Sequence, residues 1–106
     1  MSYRFMRVIV FFDLPTLTAK DRREYRKFRK KLLKSGFIML QESVYCRMAL
    51  NKNVADQITS QLRNDKPSAG LVMVLTITEK QFQRMEFISG TFVSDVIDSD
   101  ERIVFL

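Results

Sequence analysis

The chain contains no histidine and no tryptophan, and a single cysteine, Cys46, in 106 residues. Without imidazole, histidine-based zinc and haem sites and every histidine general acid or base are excluded, and one thiol cannot hold an iron–sulfur cluster. A lone cysteine also excludes a disulfide within the chain. Its neighbours Val44 and Tyr45 make it a small buried hydrophobe rather than a nucleophile. Glycine and proline are scarce, 3 and 2 residues, against a hydrophobic fraction of 46%, which argues for one ordered globular domain over residues 1–106. No apolar run reaches the ~18 residues of a membrane span, and Arg4 and Arg7 interrupt the amino end, so the reading is cytoplasmic. Any metal must be held by oxygen, which points to Mg²⁺ or Mn²⁺.

What the chain does have is concentrated positive charge. Residues 20–34 carry nine of the 18 Lys and Arg residues against two acids, Asp21 and Glu24, so this segment's net +7 exceeds the chain's +6. Thr18 and Asp21 have the spacing of a capping box, Tyr25, Phe28 and Leu32 recur at helical intervals, and Ser35-Gly36 ends the pattern. The segment is predicted to be a helix with one narrow apolar stripe. A turn of 100° per residue puts Arg23, Arg26, Lys27, Lys30, Lys31 and Lys34 on the opposite side, with almost no acids at i+4. A helix built only for solubility would intersperse acids, so these six residues are assigned to nucleic-acid phosphates, which carry no base identity.

The remaining pattern predicts a strand over residues 5–12, strands over 37–40 and 43–48, a second helix capped by Asn51 or Asn53 with Val54, Ile58 and Leu62 inward, and a strand over 71–78. Residues 79–90 read as a short helical turn or loop, and 103–106 as a final strand. The order is that of a ferredoxin-like βαββαβ fold, α+β with an antiparallel sheet and one surplus C-terminal strand. Strands one and four are apolar on both faces, although two helices can cover only one. The expectation is a homodimer packed sheet to sheet, with the surplus strand available to the partner's edge. The third strand lacks the Gly-aromatic pattern of an RNA-recognition motif.

The first strand runs into one carboxylate, Asp13, ahead of Leu14-Pro15. Its parity matches Ile9 and Phe11, so on a straight strand it points to the dimer face, where two copies could share a hard cation and promote phosphodiester cleavage. From the residues alone the turn-initiator reading comes first, since a single carboxylate is far less specific than a multi-acid metal motif. Asp95, Asp98, Asp100 and Glu101 lack the glycine of a calcium loop and read as an acidic solvated loop. Met39, Met48, Met73 and Met85 are expected to fill gaps in the core or an interface.

Taken together, Phe11-Phe12-Asp13-Leu14-Pro15, the basic helix, Gly36-Phe37 and Gln41-Glu42-Ser43-Val44-Tyr45 resemble CRISPR-associated protein 2, over nearly the whole chain. The resemblance implies a ferredoxin-like homodimer, metal bound by the two copies of Asp13 as catalytic residue, and metal-dependent endonuclease activity on RNA or double-stranded DNA. It also implies a place in the spacer-acquisition complex, bridging two copies of the adaptation integrase. In some members that scaffold role does not need the nuclease site, so a non-catalytic DNA-binding scaffold stands as the alternative.

Overall fold

Alternation along one strand sets the architecture. In β1 (Met6–Asp13), Val8, Val10 and Phe12 are buried in the main core, while Ile9, Phe11 and Asp13 belong to the other face. The computed structural model describes residues 5–90. After β1 come α1 (Ala19–Lys34), β2 (Ile38–Gln41), β3 (Val44–Ala49), α2 (Lys52–Asn64), β4 (Leu71–Thr78) and the single turn α3 (Glu79–Phe82). The four strands form one antiparallel sheet in the order β2-β3-β1-β4. Phe28 and Leu32 of α1 and Ala55, Ile58 and Leu62 of α2 close the core with Val8, Val10, Phe12 and Tyr45, so both helices lie on one sheet face. The expected strand over 103–106 and the acidic loop at Asp95, Asp98, Asp100 and Glu101 fall outside the described residues.

The helix ends follow local chemistry. Thr18 Oγ1 accepts from Asp21 N, and the Asp21 carboxylate accepts from Thr18 N, closing the capping box. Asn51, not Asn53, caps α2 by accepting from Val54 N at 2.9 Å. The β2–β3 connection is a two-residue turn, Glu42-Ser43, made without glycine, and the strand pair beside it shifts register between Met39 and Gln41.

Residues paired directly across antiparallel strands share a face. Phe11 pairs with Met73 and Ile9 with Leu75, which places Leu71, Met73 and Leu75 on the face away from the helices. They are 54%, 52% and 50% exposed in the single chain. Met39, Met48 and Met85 are exposed too, so none of the four methionines singled out from the sequence fills the core. Of the two places expected for them, core or interface, the core is thereby removed.

Arg7 tethers the far end of this open face. Its Nη2 donates to Glu79 Oε2 at 3.2 Å and its Nη1 to Cys46 Sγ at 3.5 Å, and its guanidinium lies 4.3 Å from the Phe82 ring centroid. Burial pushes the Cys46 thiol up against the opposing pull of Arg7, which keeps it an inert core residue. The hydrogen bonds from Arg7 hold Glu79 below its usual value near 4.5. Unfolded Glu79 therefore binds protons before folded Glu79 does, and the contribution, full above about pH 4.5, is lost as pH falls through the folded value. Glu79→Gln should cost about 1–3 kcal/mol at neutral pH, a deficit that shrinks on acidification, as read from urea midpoints across a pH series. A deficit constant with pH would show that the ion pair does not contribute.

Candidate functional site

The end of β1 and the β2–β3 connection meet α1, from Arg22 to Arg29, around an open groove of about 690 Å³. Asp13, Arg22, Tyr25, Arg26 and Arg29 line it, and Glu42 and Ser43 close the side opposite the helix. Two local contacts position Asp13. Phe12 N donates to Ser43 O at 3.1 Å, tying the last turnward residues of β1 to the start of β3. On the other flank Gly70, at φ +94°, comes so close that a Cβ there would lie 2.7 Å from the Asp13 carbonyl oxygen and from Leu14 Cδ2. Only glycine accepts both that conformation and that approach. Asp13 itself is exposed.

The three groove arginines occupy i, i+4 and i+7 of α1, one face of a helix, with Tyr25 between them. Arg22 Nη1 donates to the Thr16 and Leu17 carbonyls at 3.2 and 3.0 Å and so shapes the loop between β1 and α1. Arg29 Nε donates to Tyr45 Oη at 2.7 Å. Arg26 has no hydrogen-bond partner among the described residues.

Of the six cationic residues expected to bind phosphate, Arg26 alone lines this groove. Arg23, Lys27, Lys30 and Lys34 are exposed elsewhere on α1, and Lys31 is half-buried with Nζ 3.6 Å from Asp65, a tether between α1 and the end of α2. Arg22 and Arg29 line the groove but lie outside the set that periodicity assigns to phosphate. The signal for them was their chemistry and spacing: α1 has four arginines, three on one face, while its lysines lie elsewhere. Arginine presents a planar fork suited to phosphate, whereas lysine presents a point charge.

The donors near Asp13 are hard oxygens, suited to Mg²⁺ or Mn²⁺ rather than a soft metal. Among the described residues no three Asp, Glu or Cys side chains cluster to hold a metal. One chain thus brings two groove carboxylates, Asp13 and Glu42, but not a full ligand set. Two carboxylates and three guanidinia that line one open groove make a surface whose chemistry suits phosphate esters.

Comparison with known proteins agrees with that class. The family model described as CRISPR associated protein Cas2 matches residues 6–85, and the chain belongs to this family. The CRISPR-associated endoribonuclease Cas2 of Treponema denticola is 52% identical over 95% of this chain and 100% of its own length. Proteins of the same name from Streptococcus mutans and Ligilactobacillus salivarius are 46% and 45% identical, each over 95% of this chain and over 93% and 100% of their own lengths. No helix among the described residues is long and apolar enough to cross a membrane.

Proposed function

We propose that the chain is a cytoplasmic, metal-dependent endonuclease that cleaves phosphodiester bonds, RNA first and double-stranded DNA as a second substrate, within a CRISPR spacer-integration complex. The observation that carries this is the groove that Asp13 lines together with Arg22, Arg26 and Arg29. The name of the relatives, endoribonuclease, supports RNA as the substrate. The sheet order and the two helices on one face support a ferredoxin-like fold, and the open apolar face supports a sheet-to-sheet homodimer.

In that dimer the two copies of Asp13 would hold Mg²⁺ or Mn²⁺ through their carboxylate oxygens. The ion supplies Lewis-acid polarisation of the phosphoryl group. Arg26 and its neighbours bind the negative charge of the backbone and raise the local concentration of substrate. RNA and duplex DNA incubated with Mg²⁺, with Mn²⁺ or with EDTA test the reading. RNA should be cut only with metal, and cleavage that survives EDTA would sink it.

A second reading is favoured by Arg23, Lys27, Lys30 and Lys34, which are exposed outside the groove. They suit a scaffold that holds duplex DNA while bridging two copies of the adaptation integrase. Neutralising Lys27, Lys30 and Lys34 to Gln should weaken duplex binding and flatten the log–log salt dependence by about 2–3 units, in line with lost counterion release. An unchanged slope would move the duplex surface off α1.

A further inference from the structure

The geometry points to Arg29 as the pre-set phosphate ligand of the Asp13 groove and to the buried Tyr45 hydroxyl as the positioning group that fixes it. This rests on reading the groove as a phosphodiester site, and it adds residues that the activity alone does not identify.

Tyr45 is fully buried, yet its phenol oxygen reaches an exposed side chain: Arg29 Nε donates to it at 2.7 Å. Exposed arginines ordinarily sample many rotamers, and ordering one costs conformational entropy. Here one guanidinium edge is held from within the core. The anchor is rigid, because the Tyr45 ring packs against Phe12 at 5.5 Å, and Phe12 packs edge-on against Phe28 at 5.2 Å and Tyr25 at 5.9 Å. Phe12 immediately precedes Asp13, so one aromatic cluster places both the carboxylate and the guanidinium.

The partner's neutrality is the second part of the argument. A carboxylate would cancel the charge of Arg29, as Glu79 does for Arg7, but a phenol leaves the full positive charge. With Nε engaged, the Nη donors remain, and these form the fork that recognises two phosphate oxygens. Arg22 is ordered too, but it engages Nη1, part of its terminal fork, with loop carbonyls, whereas Arg29 is held through Nε alone and Arg26 is their adaptable neighbour.

Binding of a fluorescein-labelled single-stranded oligoribonucleotide, in EDTA so that nothing is cut, tests this apart from catalysis. Arg29→Gln should weaken binding roughly tenfold and reduce the salt slope by about 0.7, one phosphate contact on a single strand. Tyr45→Phe keeps every charge, so it should weaken binding about three- to fivefold with the slope unchanged. The double variant should bind no worse than Arg29→Gln, since the hydroxyl acts only through that guanidinium. Arg29→Lys keeps the charge but lacks the fork, and should retain the slope while losing affinity. Multiplicative losses in the double variant, or unchanged affinity in Arg29→Gln, would overturn the assignment. If these bindings behave as stated while no metal supports cleavage, the endonuclease reading fails and the clamp stands.

Discussion

Asp13→Asn is expected to lower metal-stimulated RNA cleavage by on the order of 10²-fold or more while leaving fold and dimer intact. Asparagine keeps the size and turn propensity of aspartate and removes its charge. The side chain is exposed, so no buried partner is orphaned by the change. The expected signature is an opposition between two measurements. Without metal, the Asp13 carboxylate repels the phosphates that the groove arginines attract, so the Asn variant should bind RNA as tightly as wild type or tighter. With Mg²⁺ it should nonetheless fail to cut. A variant that cut at the wild-type rate would return Asp13 to the role of a strand-end residue and leave the scaffold reading in possession.

Leu75→Glu carries the other large effect. Leu75 sits mid-strand on the open face, paired with Ile9, itself 4% exposed, and flanked along β4 by Met73 and Leu71. In a sheet-to-sheet dimer the introduced carboxylate is buried without a partner, at a cost of several kcal/mol, and the two-fold relation imposes that cost twice. The dimer dissociation constant should rise by on the order of 10³-fold, as sedimentation equilibrium would show. Far-ultraviolet circular dichroism should not change, since the helix-covered core is on the opposite face. If the intact protein sediments as a stable monomer at micromolar concentration, the open face has another occupant.

Local grammar made much of the fold legible. β4 spans Leu71–Thr78, where unbroken β-branched and apolar residues place it, and α1 begins at the capping box that Thr18 and Asp21 spell out. Asp13 was marked by its contrast with an apolar strand. What the linear chain hid was long-range. Arg7 and Glu79 meet across 72 positions, and Tyr45 reaches Arg29 only because β3 packs beneath α1. Periodicity assigns phosphate ligands to the side of α1 opposite its apolar stripe, which includes Arg26, whereas Arg22 and Arg29 flank that stripe. Periodicity separates buried from exposed, but does not say which exposed flank a neighbouring loop will turn into a groove. For the methionines the sequence leaves core and interface open, since hydrophobicity predicts burial without naming the molecule that provides it, and exposure in the single chain removes only the core.

Gly70 complicates any genetic dissection of the site. It has no chemistry of its own, yet a methyl group at that position would press on the main chain of Asp13. A random-mutagenesis screen scored by loss of cleavage would therefore return positions 13 and 70 together, with the same phenotype for unrelated causes. Purifying the position-70 variants and measuring their thermal stability would separate the two, because a displaced backbone lowers melting temperature and a neutralised exposed carboxylate does not.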